Sequence, residues 1–267
     1  MLGQGVYGSV RLVKKYGLSR AVKSTQLQPF PRDIEFVIGA LREERCHFEH
    51  EHIIKRFWSR WINSKFQVCM EVASPVHRAD GERVMHDICQ ALYCMHSYGF
   101  IHRDVKPENI VKVGNVYKLI DFGLSRKGKT NHSMTGYTIS RWFRPPEMLR
   151  AGEDDAMYDG RVDMWSLALT AHMLDTGKPL FRGSANQILV QYMRFTPTGM
   201  FKYLVCEYEK RFTAKQLLEH CGVTPIEGKY LGGSRRDKKL RGFVNAALDG
   251  YDEMVEELGY EGIYNDL

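Results

Sequence analysis

The stretch His102-Arg103-Asp104-Val105-Lys106-Pro107-Glu108-Asn109, followed by Asp121-Phe122-Gly123, constrains this chain more than any other feature. Transfer of a phosphoryl group asks for a carboxylate near the attacking hydroxyl, a cation on the terminal phosphate and oxygen ligands for Mg²⁺. Asp104 is such a carboxylate and Lys106 such a cation, while Asn109 and Asp121 offer the metal ligands. Any one of them alone is commonplace. Eight contiguous residues in this order, with this sequel, make chance a poor explanation.

The segments upstream supply what a nucleotide needs. Gly3-Gln4-Gly5-Val6-Tyr7-Gly8-Ser9-Val10 is a G-x-G-x-x-G-x-V hairpin, whose glycines let the backbone approach phosphates without a side-chain clash. Lys23 stands about two strands later in Ala21-Val22-Lys23. Apolar residues at Ile34, Val37, Ile38, Leu41 and Phe48 suit a helix, within which Glu35, Glu43 and Glu44 compete as the carboxylate facing Lys23. Phe66 to Ala73 reads as a buried strand running into a connector. Together these segments resemble a eukaryotic protein kinase from Leu2 to about His220.

The resemblance implies an α+β fold of two lobes, a small antiparallel sheet with one helix and a larger, mostly helical lobe. It divides the chain into 1–72, 73–222 and, beyond its reach, 223–267. It implies ATP and Mg²⁺ as cofactors. Nucleotide contacts fall to Leu2, Gly3, Gln4, Gly5, Gly8, Val10, Ala21, Lys23 and Asp121. Met70 becomes the gatekeeper, with the backbone of Glu71 and Ala73 on adenine. Arg42-Glu43 resembles the Arg-Glu pair of mitogen-activated kinases, which selects Glu43; Glu44 stays a rival, because the helix looks short before His50. Asp163 matches an aspartate that anchors the catalytic loop, and Arg211 matches the partner of Glu147 in Pro145-Pro146-Glu147.

In the second lobe, Val84, Ile88, Leu92 and Met95 form a helical stripe ending at Gly99. The link from the preceding strand is short, so one small helix of the typical kinase is expected to be trimmed. Thr213-Ala-Lys-Gln216 reads as a capping box.

The segment between Asp121 and Glu147 narrows the family. Met134-Thr135-Gly136-Tyr137, in register with Ser140-Arg141-Trp142-Phe143-Arg144-Pro145, resembles mitogen-activated kinases of the T-G-Y type, within the proline-directed (CMGC) group. That implies phosphorylation of Thr135 and Tyr137 by an upstream dual-specificity kinase. It implies a cradle of Arg42, Arg103 and Arg126 for the first phosphate and of Arg141 and Arg144 for the second. Charge-assisted Arg–phosphate pairs are the means by which such a loop becomes ordered. The chain departs from the pattern too: almost nothing precedes Gly3, Ser140 replaces a threonine, Pro146 replaces an alanine, and an insert after Pro197-Thr198-Gly199 is nearly absent.

The bulk numbers are those of an ordinary globular protein, with 43% hydrophobic and 26% charged residues. No apolar run approaches the ~18 residues of a membrane helix, and no secretory signal is visible at the start. The six cysteines show neither CxxC spacing nor a metal-ligand pattern, which suits free thiols in a reducing compartment, cytoplasm or nucleus. The net charge of +6 is mild, and neither nucleic acid nor membrane is expected as a partner. After a polar link at Ser234–Lys239, Val244, Ala247, Leu248, Tyr251, Met254, Val255 and Leu258 recur at helical spacing, with Gly259 as a stop. This face asks for a cover, on the core or on a partner. The expectation is a serine/threonine kinase acting on proteins. Two other classes stand beside it, a pseudokinase acting as a nucleotide-binding scaffold or decoy, and a small-molecule kinase, which the activation segment opposes.

Overall fold

The computed structural model describes residues 3–5, 8–26, 34–62, 65–128, 134–135, 141–151, 155–156 and 158–232. In the small lobe the glycine-rich hairpin forms as read: β1 (Gly3–Gly5) pairs antiparallel with the start of β2 (Gly8–Lys15). A two-residue turn at Tyr16 and Gly17, both at positive φ (51° and 73°), returns the chain into β3 (Leu18–Gln26). Positive φ at both central positions gives the turn a twist that matches the flanking strands. Helix α1 (Ile34–Arg45) follows, then the short β4 (Phe48–Glu49) and the hairpin of β5 (Arg56–Ile62) and β6 (Lys65–Met70). The sheet order is β1-β2-β3-β6-β5. Ala40 of α1 packs on Phe66 and Val68 of β6.

Phe48 does not extend the helix, as its spacing suggests. It sits in β4 and its ring packs against Phe100, Tyr98 and Tyr230. Tertiary aromatic packing overrides the local period there.

The connector holds β7 (Ser74–Pro75) and no helix before α2 (Gly81–Ser97), so the trimmed link is a property of the fold. Asp80 caps α2, accepting from the backbone N–H groups of Glu82 and Arg83. Val84, Ile88, Leu92 and Met95 are fully buried along one stripe. The helix stops at Gly99, whose φ of 76° suits a residue without Cβ. Next come β8 (Phe100–Ile101), β9 (Ile110–Val113) and β10 (Val116–Leu119), then β11 (Arg126–Lys127), which pairs with β8. After β12 (Met134–Thr135), α3 (Pro146–Ala151) and β13 (Asp155–Ala156) comes α4 (Arg161–Thr176). Helix α4 is buried on nearly every side from Val162 to Ala171, as expected of a helix apolar all round. After it come α5 (Ala185–Arg194), α6 (Phe201–Leu204), which packs on α4, and α7 (Ala214–His220), which packs on α2. Capping boxes open α5 at Ser184 and α7 at Thr213. No helix among the described residues is long and apolar enough to cross a membrane.

Residues 223–232 pack on the large lobe. Gln90 exchanges hydrogen bonds with Thr224 and Ile226. The strand β14 (Lys229–Tyr230) pairs with β4, closing an aromatic cluster around Phe48. The link at 234–239 and the helical pattern at 244–258 lie outside the described residues.

Candidate active site

The loop 102–109 owes its shape to one buried carboxylate. Asp163, in the first turn of α4 and fully buried, accepts 2.8 Å hydrogen bonds from the backbone N–H groups of His102 and Arg103, one on each oxygen. His96 Nε2 reaches the same carboxylate at 2.8 Å. Burial alone would raise the pKa of Asp163, but His96 and His102 outweigh it and hold the carboxyl below its usual range. Gly160 leaves the room this needs, since a Cβ there would lie 2.6 Å from the His96 ring. With two amides fixed, Arg103 sits at φ 66°, a strained setting for a residue with a Cβ. Its buried guanidinium bonds the Leu124 carbonyl at 2.7 Å and lies 3.3 Å from the Tyr158 hydroxyl.

Beyond this anchor the polar groups converge. Lys106 Nζ lies 2.7 Å from Asp104 Oδ2. Asn109 Nδ2 donates to the Asp104 carbonyl at 2.8 Å and to its Oδ2 at 2.9 Å. Both donated bonds are spent on Asp104, so the amide oxygen of Asn109 is the atom left as an acceptor. Asn109 also lines a cleft of about 670 Å³ between the lobes, walled by Val10, Ala21, Met70, Ala73, Val111 and Ile120.

Lys23 and Asp121 meet in that cleft. Lys23 Nζ lies 3.0 Å from Glu43 Oε2 and 2.9 Å from Asp121 Oδ1. Burial lowers the Lys23 pKa, but the charges of Asp121 and then Glu43 outweigh it and hold the ammonium above its ordinary range. Asp121 is pushed up by burial and down, more strongly in sum, by Lys23 and the hydrogen bonds around it. Glu43 is the more buried of the two carboxylates, at 9% side-chain exposure against 34%, and burial leaves its pKa raised despite Lys23. Asp121 also sits at positive φ, 63°, and Phe122 packs edge-on to His102. Glu43, not Glu44, is the helix carboxylate on Lys23; Glu44 is buried, and its carbonyl accepts from Arg56.

The donor set suits a hard divalent cation. Asp121 and the free oxygen of Asn109 are two oxygen ligands beside the place a phosphate would take, which is the habit of Mg²⁺. Among the described residues no three His, Cys, Asp or Glu gather into a cage of their own. In the connector, Glu71 donates its N–H to the Lys55 carbonyl, and its carboxylate takes the Lys55 N–H and Lys118 Nζ.

The family is decided by these parts together with one match. A model of the protein kinase domain matches residues 1–221. The chain belongs to the protein kinase family. It is 31% identical over 236 residues to mitogen-activated protein kinase 12 of Danio rerio, which covers 80% of this chain and 61% of that protein. It is 40% identical over 205 residues to a probable serine/threonine-protein kinase of Dictyostelium discoideum, 69% of this chain and 38% of that one. Over 126 residues it is 38% identical to cyclin-dependent kinase F-4 of Oryza sativa, 46% of this chain and 27% of the relative. The kinase domain thus spans between 27% and 61% of the length of these curated relatives.

Arg211 and Glu147 pair in fork-to-fork geometry, at 2.6 and 3.0 Å, with the guanidinium over Trp165. Of the arginines expected around the activation segment, Arg103 and Arg126 are buried at neighbouring positions, Arg126 opposite Ile101 in β11–β8. Arg42 lies in the last turn of α1, Arg144 is buried and Arg141 is exposed. The backbone of Thr135 pairs with Asp155. Leu2, Gly136, Tyr137 and Ser140 lie outside the described residues, and of Gly3, Gln4, Gly5 and Gly8 only the backbone is described. Sequence reasoning missed His96, Gly160, Tyr158 and Lys118. The signal for His96 was a polar residue in the last turn of α2, next to the buried Met95.

Proposed function

We propose that this kinase domain transfers the γ-phosphoryl group of ATP to serine or threonine hydroxyls of proteins. One observation carries the reading: Asp104, Lys106 and Asn109 share a loop fixed by Asp163, and Asn109 lines the same cleft as Asp121 and the Lys23–Glu43 pair. Asp104 orients the acceptor hydroxyl and takes its proton. Lys106 neutralises the γ-phosphate. Lys23, held by Glu43, contacts the α- and β-phosphates, and the hairpin of β1 and β2 covers them. The adenine lies against Ala21 beside Met70; because the Glu71 N–H is spent on Lys55, its carbonyl, with the Ala73 N–H, reads the base. Asn109 and Asp121 hold Mg²⁺, which when bound neutralises phosphate charge. Positioning and fixed charges supply most of such catalysis. The contacts of Lys23 with Glu43 and Asp121 and of Asn109 with Asp104 support transfer over a scaffold without activity.

The mitogen-activated and cyclin-dependent kinases among the relatives, with Arg141 and Arg144, support acceptors followed by proline, and switching through Thr135 and Tyr137 by an upstream dual-specificity kinase. All six cysteines are free thiols, which supports a reducing compartment, cytoplasm or nucleus. The deciding experiment is transfer from labelled ATP with Mg²⁺ to a generic basic protein, then to a peptide library varied after the acceptor. Serine and threonine labelling with a proline preference is expected. Absence of transfer by folded protein phosphorylated on Thr135 and Tyr137 overturns the reading; transfer without a proline preference overturns the assignment to the proline-directed group.

A further inference from the structure

The fold sorts positive charge onto the small sheet. Residues 8–26 and 55–70, which carry β2, β3, β5 and β6, contain nine Lys and Arg and no Asp or Glu, so the rest of the +6 chain is net acidic. Ala21, Lys23, Val68 and Met70 line the cleft, and the period of two therefore turns Val22, Gln67 and Cys69 to the outer face. The register brings Arg11 opposite Val22, Trp58 opposite Cys69, Arg60 opposite Gln67 and Val13 opposite Arg20 on that face. The guanidinium groups lie flat on aromatic rings there, Arg20 at 3.9 Å over Phe57 and Arg60 at 4.8 Å over Trp58.

Apolar groups are concentrated on the same sheet. Of the eleven large apolar side chains that stay exposed among the described residues, seven belong to it, which scattered surface residues would not show. Val13, Phe57, Trp58 and Ile62 are 38–44% exposed. The other three stand at the free end of the β2–β3 hairpin: Leu12, Leu18 at 58% and Tyr16, in the turn itself, at 89%. Leu12 pairs with Ala21 and so shares the cleft side of the strands, whereas Val13 and Leu18 share the outer side with Arg20. The hairpin end is thus apolar on both faces, with exposed Lys14 beside it and exposed Arg11 behind it. A protein partner covers one face of a sheet. A hairpin end apolar on both faces suits a medium that surrounds it, and the carboxylate-free arginines suit negative charge. The headgroup layer of an anionic bilayer supplies both, since rings such as Tyr and Trp settle at that depth and Lys and Arg are drawn to its surface.

We infer that the outer face of the small sheet binds the surface of an anionic phospholipid bilayer, with Tyr16 and Leu18 entering the headgroup layer and Arg11, Arg20 and Arg60 meeting its negative charge. The cleft lies on the other side of the sheet, so the nucleotide site stays open on the bound protein. The mild charge of the whole chain argues against a membrane only because it averages this face with an acidic remainder. The inference stands apart from the transfer reaction. Its test sediments the full chain with phosphatidylcholine vesicles, with and without about 30% phosphatidylserine, an anionic lipid that attracts basic surfaces. Binding to the anionic vesicles alone is expected. Raising salt from 0.1 to 1 M, which shortens the screening length from about 10 to about 3 Å, weakens it. Each cation at such a surface contributes roughly fivefold in affinity, so Arg11→Gln with Arg60→Gln should weaken binding about 25-fold. Tyr16→Asn with Leu18→Thr should weaken it at constant charge; asparagine before Gly17 favours the same turn, so the hairpin is kept. Thermal melting, expected to match the parent, controls for folding of both variants. No sedimentation with anionic vesicles, equal sedimentation with neutral ones, or binding that neither variant changes overturns the inference. So does a single-stranded oligonucleotide or polyglutamate that binds more tightly than the vesicles and loses that binding in the Tyr16→Asn, Leu18→Thr protein, because the face then belongs to another partner.

Discussion

Asp163→Asn isolates the contribution of one buried carboxylate to the catalytic loop. The side chain accepts from the His102 and Arg103 amides and from His96, each at 2.8 Å, and has no exposure to solvent. Asparagine keeps the shape and one acceptor oxygen. Its amide nitrogen must then face at least one N–H donor, so one backbone bond is lost and a donor is left buried. A hydrogen bond to a charged group contributes about 1.5–3 kcal/mol, and breaking a buried charged network costs about 3–5 kcal/mol. A loss of about 3–5 kcal/mol in unfolding free energy is expected. With the anchor loosened, Arg103 leaves its strained φ of 66° and Asp104, next in sequence, shifts with it. Misplacement on the scale of 1 Å costs about 10²-fold in rate. Urea unfolding and phosphotransfer on the same preparations measure both effects. The sign with pH is fixed as well. The Asp163 pKa is depressed in the fold, so its stabilisation is full above the unfolded value of about 3.9 and fades as pH falls toward the folded one. Asp163→Asn should remove that part of the acid-side slope. A variant within about 1 kcal/mol of the parent, well below the loss from such a network, with the parent's turnover, refutes the anchoring argument.

Lys23→Met should lower turnover by roughly 10²-fold or more while thermal melting stays close to the parent, because Glu43 then takes up a proton in a site where its pKa is already raised; parental turnover would remove Lys23 from the phosphate site. Calorimetry should show ATP binding strengthened by Mg²⁺, and Asp121→Asn should erase that gain; equal affinity with and without Mg²⁺ in the parent would count against the metal assignment. Each phosphate on the activation segment adds about −1.5 to −2 charge at neutral pH, so dual phosphorylation should raise activity, and Thr135→Ala with Tyr137→Phe should keep basal activity and lose the rise. Full activity in protein whose mass shows neither residue phosphorylated refutes the switch.

What could be read from the sequence was whatever is written in contiguous residues or in a strict period. The loop 102–109 carries its own carboxylate, cation and amide, and α2 announces its buried stripe. The hidden parts are contacts between residues far apart in sequence. His96 meets Asp163 across 67 positions, and a glycine at 160 matters only because an imidazole occupies the space of its missing Cβ. Asp87 is another case. It is fully buried on α2, where it holds Arg83 at 3.0 Å, His86 at 2.9 Å and the Tyr117 amide at 3.1 Å. In sequence it is one more polar residue on an amphipathic helix. Phe48 misled in the opposite direction, since its position extends the period of α1 while its ring belongs to a cluster completed by Tyr230.

The same logic explains why the resemblance pointed to Glu43 while Glu44 stayed a rival until the fold. Glu43 and Glu44 are neighbours on one helix, about 100° apart around its axis, so only one can face the sheet at Lys23. Arg56 settles which. Its guanidinium caps the end of α1 by donating to the carbonyls of Glu43 at 2.7 Å and of Glu44 at 3.0 Å, and β5 carries Arg56 directly opposite Met70. The helix end is thereby tied to a strand that borders the cleft. Rotating α1 to present Glu44 would break both bonds and leave a half-buried guanidinium without those acceptors, a cost of about 1.5–3 kcal/mol for each charged hydrogen bond. The orientation of α1, and with it the Lys23–Glu43 pair, is therefore set from outside the helix, by a residue that no motif in the chain singles out.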